Sequence, residues 1–317
     1  MAKKRIYLAN FNITFGENDA PMLTQFENII LPAFTSKEHV KGRYDKDSFF
    51  FFEDVRMKEY DKFGYALVGN IIKKTKVEFK SDYVDGRLVM KNEVHSNAPY
   101  SRFILFLKNH RLALIKNEKE SPTLKNLQHT FEKNAKKIIK LHNDKLNDNP
   151  DKTLRYPGIV ANVIPLPLEE DVKEVFSRID SIQKFSLRFF PLNGDIDMSE
   201  FVQNNRKMME YMGSKSGNVA FNSPQSKKVV SDTIDTSSGL VECSVDAKMK
   251  DGSKSKIKSN QFNASMECDI IENNITEDSD NNIIELISSN EGIKKVSPEN
   301  QSIYDLFKDK LIKLMGM

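Results

Sequence analysis

The sequence contains no tryptophan and only two cysteines among its 317 residues. Cys243 and Cys268 are too few for a disulfide framework, so we expect both thiols to be reduced, as in a cytoplasmic protein. No stretch of 18 uncharged apolar residues is present, which predicts no membrane span. The basic start at Met1–Leu8 is not followed by a long apolar run, and it predicts a strand rather than a signal peptide.

The common nucleotide-binding and catalytic motifs are also missing. Neither G-x-x-x-x-G-K-[ST] nor G-x-G-x-x-G occurs. The segment Gly213–Gly217 has Lys215 at its centre, where a nucleophile elbow requires serine. The five histidines and two cysteines show no metal-ligand spacing. The sequence therefore predicts no cofactor and no metal site.

Length and composition indicate a globular protein of two domains, with 39% hydrophobic and 29% charged residues. We predict an α+β fold. Residues 1–145 would form a β-rich basic domain, residues 146–158 a linker, and residues 159–317 an α+β domain with an acidic C-terminal segment.

The first domain is predicted to be an antiparallel meander or small barrel with helices packed over it. Pro32 should end a helix over 22–31, and Ser121-Pro122 should begin another. Asp85-Gly86 is typical of a two-residue hairpin turn. The run of four phenylalanines from Phe49 opens a predicted β meander of six strands, at 49–60, 64–73, 75–83, 86–94, 102–108 and 111–116.

The second domain is predicted to be ferredoxin-like, with a right-handed β-α-β-α unit formed by 160–168, 169–180, 182–189 and 199–212. Further strands are predicted at 218–223, 227–234, 240–249 and 254–257. The acidic stretch 272–282 should be mobile. An amphipathic helix over Gln301–Leu314 would end the domain, and it could pair with its copy in a homodimer or pack on its own domain.

Charge is distributed unevenly along the chain. Residues 1–160 carry 29 basic and 20 acidic side chains, whereas residues 267–317 carry 5 and 11. A basic first half with an acidic tail is typical of nucleic-acid binders and of self-associating proteins. Two clusters of cations could contact successive phosphates, with Phe79 and Tyr83 available for base stacking, although a solvated charged surface is the ordinary alternative. The predicted nucleic-acid-binding residues are Lys73, Lys74, Lys76, Lys80, Arg87, Lys133, Lys136, Lys137 and Lys140.

A metal-dependent nuclease is a second hypothesis. Such enzymes place an aspartate ahead of an acid-x-Lys triplet on a strand, and the carboxylates hold Mg²⁺. Two combinations have this spacing, with surface ion pairs as the alternative interpretation. They are Asp61 with Glu78 and Lys80, and Asp235 with Asp246 and Lys248.

The order of elements carries one resemblance. A strand-turn-strand at Phe103–Ile115 is followed by a Pro-started helix and by a strand-helix-strand that ends at Lys184–Asn193. This order resembles RexA-type phage-exclusion proteins and related uncharacterised prokaryotic defence proteins, over roughly residues 100–195. The resemblance implies a cytoplasmic, dimeric nucleic-acid-binding protein without an enzymatic core, and it carries over no functional residue by position.

The leading hypothesis is therefore a non-enzymatic protein that binds nucleic acid, in particular double-stranded DNA, as part of a phage-exclusion or anti-phage system. A nuclease is the first alternative. The second alternative is an interaction subunit whose acidic tail and terminal helix dock a protein partner, for example one encoded in the same operon.

Overall fold

The structure is a computed structural model that describes residues 4–43, 45–146, 151–167, 169–192, 200–237, 239–262, 265–268 and 275–315. It contains both helices and strands, which confirms the predicted α+β class. None of the helices in these ranges is long and apolar enough to cross a membrane.

Among the described residues, the larger sheet has ten strands. They pair in an antiparallel manner, and the sheet curls into a half-barrel. The strands are β1 (Lys4–Phe15), β2 (Ala20–Pro21), β3 (Val40–Lys41), β4 (Phe49–Tyr60), β5 (Gly64–Val84), β6 (Arg87–Asn97), β7 (Tyr100–Phe106), β8 (Arg111–Lys116), β9 (Ile159–Pro165) and β14 (Ser265–Cys268). The central path runs β14-β1-β8-β7-β5-β4-β3, while β2 and β9 pair with β1 and β6 pairs with β5.

The central strands of this sheet are buried on both faces, which explains their nearly continuous apolar sequence. On one face Phe103 packs with Phe34 and Phe131. On the other face Ile104 packs with residues such as Ile283. The two predicted strands 64–73 and 75–83 form the single 21-residue strand β5.

Helices cover both faces of the larger sheet and also pack on the second sheet described below. They are α1 (Leu31–Thr35), α2 (Leu124–Lys145), α3 (Glu169–Ser177), α4 (Glu200–Tyr211), α5 (Lys227–Thr236), α6 (Ser279–Ile287), α7 (Glu291–Lys294) and α8 (Pro298–Met315). Pro32 does not end a helix as predicted. A 3₁₀ turn and a π turn lead into α1, and Pro32 occupies the first turn of α1, where its missing N–H is not needed. The long helix α2 is capped by Thr123, not by Ser121.

A second sheet is formed by the four strands β10 (Ile179–Phe189), β11 (Gly217–Asn222), β12 (Glu242–Met249) and β13 (Lys254–Lys258), in the order β11-β10-β12-β13. The strand predicted at 227–234 is wrong, since these residues lie in α5. Ser226 accepts a hydrogen bond from the Val229 amide there, and Val230 and Ile234 are buried one helical turn apart. Burial raises the pKa of the Cys243 thiol in β12 to about 12.

The predicted β-α-β unit is wrong because its two strands lie in different sheets. β9 pairs with β1 in the larger sheet, from Ala9 opposite Pro165 to Phe15 opposite Ile159, whereas β10 lies in the second sheet. Every strand pair in the described ranges is antiparallel. A ferredoxin-like domain needs parallel strands joined by a crossover helix, and these strands do not provide them.

The C-terminal segment completes the core of the larger sheet. β14 pairs with the start of β1, and the apolar residues of α6 and α7 pack on one face of the sheet. On the opposite face α8 buries Tyr304 and Leu311. Mobility was predicted over 272–282, of which 272–274 lie outside the described residues. Within 275–282, Ile275 and Asp280 are buried, in contrast to that prediction. The strands that follow the predicted linker at 146–158 therefore contribute to both sheets.

Candidate nucleic-acid interface

A cleft of about 610 Å³ lies between the two sheets. The start of α2 forms one wall, β9 crosses the floor, and the ends of β8, β10 and β13 reach the rim. Polar and charged side chains supply most of the lining. The lining residues are Tyr7, Arg43, Lys116, Thr123, Leu124, Lys125, Asn126, Gln128, His129, Glu132, Asn162, Val163, Ile164, Pro165, Arg188, Phe190, Glu242, Lys258, Ser259 and Asn260.

Positive charge exceeds negative charge in this cleft, with five lysines and arginines against two glutamates. Both glutamates already have cationic partners, because Glu132 pairs with Lys136 and Glu242 lies 3.8 Å from Arg188. Lys125 and Lys258 are exposed, and neither has a carboxylate partner among the described residues. An anionic ligand could therefore bind both ammonium groups without displacing an internal carboxylate.

Lys116 adds a partly buried cation to the cleft. Burial lowers the pKa of its ammonium group, Glu120 opposes that effect, and the neighbouring charges of Arg5 and Lys73 lower the pKa further. Its Nζ donates to the Lys119 carbonyl at 2.6 Å. Since like charges are held together here, a bound phosphate would relieve their repulsion.

A stripe of cations continues from the cleft along α2. Lys125 lines the cleft, and Lys133, Lys136 and Lys140 follow at spacings that keep all four within about 100° of the helix circumference. The opposite side of α2 is anchored in the core through Leu124, Leu127, Phe131 and Ala135. Packing therefore directs the lysines toward solvent. We call the cleft together with this stripe the basic track.

Four of the nine predicted binding residues have carboxylate partners. Lys73 lies 3.1 Å from Asp45, and Lys137 lies 2.7 Å from Glu38. Lys136 pairs with Glu132, and Lys80 lies 3.7 Å from Glu78. Ion pairs that involve the other five are absent from the described part of the chain. These five are Lys74, Lys76, Arg87, Lys133 and Lys140.

The nine residues do not form one continuous surface. Lys133, Lys136, Lys137 and Lys140 are on α2, and Lys73 is close enough to Lys116 to lower its pKa. Lys76, Lys80 and Arg87 lie beyond the sheet, on the projecting hairpin formed by the distal half of β5 with β6. The structure thus brings the helix lysines and Lys73 toward the cleft and leaves the other strand cations apart.

The first nuclease combination is not assembled. Asp61 lies in the turn before β5, whereas Glu78 and Lys80 lie near the far end of that strand. A strand rises about 3.3 Å per residue, so the separation along β5 is on the order of 45 Å. Two carboxylates at that distance cannot share a metal ion.

The second nuclease combination is divided by a sheet. Asp235 belongs to α5, which packs on the face that carries Val245 and Ala247. Asp246 and Lys248 alternate with those buried residues and therefore point to the other face. Lys256 lies 3.7 Å from Asp246 there. Within the described ranges, no group of three or more His, Cys, Asp or Glu side chains could hold a metal ion.

The acidic C-terminal segment neutralises part of the basic first half. Asp280 and Arg102 are both buried, with Arg102 Nη2 donating to Asp280 Oδ2 at 2.7 Å. Lys58 contacts Asp280 at 3.3 Å and also pairs with Glu277. Arg56 is a second partner of Glu277. The excess of positive charge seen in the sequence is therefore smaller on this side of the molecule.

Sequence reasoning missed all five lysines and arginines of the cleft as binding residues, namely Arg43, Lys116, Lys125, Arg188 and Lys258. They are isolated from one another in the sequence and lie in different parts of the fold. No spacing rule could have grouped them, because the packing of the second sheet against β9 and α2 creates the cleft.

The fold and this basic cleft define an α+β protein with a candidate anion-binding track. Comparison of the chain with protein-family models, curated proteins and solved structures found no match.

Proposed function

We propose that the protein binds nucleic acid, in particular double-stranded DNA, along the basic track and does not cleave it. The observation that supports this proposal most strongly is the clustering of Lys116, Lys125 and Lys258 in the cleft, in line with the lysine stripe on α2. Binding without cleavage is preferred because neither predicted nuclease combination is brought together.

The dimensions of the track suit a phosphate backbone. From Lys125 to Lys140 the helix advances about 22 Å, at about 1.5 Å per residue. This is about two thirds of the roughly 34 Å turn of a DNA duplex. The cleft has the volume of a small-molecule pocket and is too small to enclose a duplex. A duplex would therefore lie along α2 with one backbone at the mouth of the cleft.

The proposal predicts a salt-dependent affinity that depends on the α2 lysines. The variant Lys125→Ala/Lys133→Ala/Lys140→Ala removes three exposed cations of the track. The slope of log K against log salt should become shallower by about 0.9 for each phosphate that the variant no longer neutralises. Fluorescence anisotropy with a labelled duplex between 50 and 200 mM salt measures this slope.

A matched control is available on α8. Lys308, Lys310 and Lys313 are also exposed on a helix, and Lys308→Ala/Lys310→Ala/Lys313→Ala removes the same charge from a helix that does not line the cleft. Its slope should equal that of the unmodified protein. Equal slopes for both triple variants, or no binding at 50 mM salt, would contradict the proposal.

A role in phage exclusion, in the cytoplasm and with an operon-encoded partner, is proposed only from the resemblance over residues 100–195. The track gives this role a specific test. Cells that express the protein should resist phage, and the α2 triple variant should lose that resistance at equal protein level. Resistance that is unchanged in the variant would separate the phage phenotype from DNA binding.

A further inference from the structure

The hairpin formed by residues 75–97 projects from the larger sheet, and we refer to it as the arm. The pairing of β5 with β4 ends at Lys74, and its pairing with β7 ends at Ile72. From Thr75 onward β5 pairs only with β6, among the described strands. The ten residues to Val84 extend about 33 Å beyond the sheet. A lone two-stranded hairpin is marginally stable in water, so the arm requires additional contacts.

One face of the arm carries most of its large apolar side chains, and these are exposed. Residues directly opposite in an antiparallel pair share a face, as do alternate residues of one strand. The pairs Val77–His95, Phe79–Glu93, Ser81–Met90 and Tyr83–Leu88 therefore lie on one face. Exposed fractions on this face are 36% for Val77, 48% for Phe79, 72% for Tyr83, 69% for Leu88 and 74% for Met90. A face on which most side chains are apolar and exposed, with Glu93 as its carboxylate, is typical of an interaction site.

The charges of the arm disfavour nucleic acid as its ligand. Residues 75–97 contain four lysines and arginines and four aspartates and glutamates, so their net charge is zero. Lys91 lies 3.0 Å from Asp82, and Lys80 lies 3.7 Å from Glu78. A phosphate backbone would have to displace these carboxylates.

We propose that the arm is a dimer interface that packs its apolar face against the same face of a second copy of this chain, about a two-fold axis. In such a contact each surface meets itself, so a strongly charged patch would repel its copy. The arm meets this requirement because its charges balance, and Glu93, which lies opposite Phe79 on this face, is already 3.8 Å from Lys91. The contact also covers a hairpin that would be marginal alone. This inference does not depend on the nucleic-acid proposal.

The interface differs from the one predicted at Gln301–Leu314. Most of that apolar stripe packs on the core of its own chain, where Leu311 is buried and Ile303, Phe307 and Leu314 are partly buried. Leu306 and Ile312 are exposed on α8, at 77% and 47%. They provide a matched control for the arm, since they are exposed aliphatic residues on a different element.

Light scattering of the full-length chain, between 1 and 100 μM as chosen concentrations, tests the proposal. The unmodified protein should approach twice the chain mass of 36.4 kDa. Leu88→Glu/Met90→Glu should remain at the chain mass, because two carboxylates from each copy would face one another without counter-ions. Leu306→Glu/Ile312→Glu should retain the doubled mass.

A second variant guards against misfolding of the arm. Replacing residues 77–95 by Asn-Gly joins Lys76 to Ser96, which are already paired opposite each other, through a two-residue turn. This variant should keep the circular dichroism of the sheet and be monomeric. A monomeric unmodified protein, or a doubled mass that persists in both arm variants, overturns the proposal. Loss of duplex binding in Lys76→Ala/Lys80→Ala/Arg87→Ala, with unmodified protein at the chain mass, would assign the arm to nucleic acid instead.

Discussion

The ion pair between Arg102 and Asp280 should be the most sensitive polar contact in the molecule. Arg102 is 1% exposed and Asp280 is 1% exposed, and the two side chains join β7 in the first half of the chain to α6 near its end. The guanidinium stays protonated under all conditions that keep the protein folded. Asp280→Asn would leave this cation buried without its counter-ion, and it would also weaken the interaction with the Lys58 ammonium.

Removing one partner of a buried ion pair costs about 3–5 kcal/mol. We therefore expect Asp280→Asn to lower the free energy of unfolding by about 3 kcal/mol or more, measured by urea denaturation followed by circular dichroism. Glu285→Gln is the matched control, since Glu285 is an exposed acid on the same helix, and it should change stability by about 0.5 kcal/mol or less.

The double variant Arg102→Met/Asp280→Leu separates loss of the pair from exposure of an unpaired charge. It should be more stable than Asp280→Asn, because apolar replacements leave no buried ion. If Asp280→Asn lowers the free energy of unfolding by less than about 1 kcal/mol, water or other side chains must stabilise the Arg102 guanidinium in place of Asp280. That result would refute the conclusion that this ion pair holds α6 and the acidic segment on the sheet.

Two further predictions concern the same C-terminal segment. The Lys58 ammonium donates a hydrogen bond to Glu277 and lowers the pKa of that carboxyl. The stabilisation from the ionised Glu277 is therefore present above the unfolded pKa of about 4.3 and is lost as the pH falls through the folded pKa. Urea midpoints of Glu277→Gln should therefore lie below those of the unmodified protein at pH 7 and converge with them in acid, and a constant difference at every pH would contradict the pairing. Gly64 and Gly252 both have positive φ, at 69° and 86°, but a Cβ at Gly64 would overlap the Tyr304 hydroxyl whereas one at Gly252 meets open space. Gly64→Ala should consequently cost about 1–3 kcal/mol more than Gly252→Ala in the same assay, and equal costs would show that Tyr304 moves freely.

Local patterns in the sequence were sufficient for much of the secondary structure. The strands Phe49–Tyr60 and Arg111–Lys116 were predicted with their observed bounds, because apolar runs and the turns between them are local features of the sequence. The stripe of Leu127, Phe131 and Ala135 likewise predicted the buried side of α2. The strand predicted at 227–234 is wrong, because the cap at Ser226 and the burial of Val230 and Ile234, one helical turn apart, favour a helix.

Pairing between distant segments could not be predicted in the same way. The strand at 159–165 was recognised, but its partner was not, because an apolar strand with two candidate sheets carries no local signal of which one it joins. The acidic segment was predicted to be mobile from its acidic, Asn-rich composition. Its counter-ions Arg102 and Lys58 could not be recognised, because they lie more than 170 residues earlier in the chain.

The sequence by itself therefore determined which residues form strands and helices, the excess of positive charge in the first half, and the absence of the common nucleotide-binding and catalytic motifs. Only the tertiary structure decided which of those charges are available. It paired several lysines with carboxylates, placed others on an arm of zero net charge, and assembled a cleft from isolated cations. The physical reason is that periodicity is a property of neighbours along the chain, whereas electrostatic potential depends on distances through space that only packing defines.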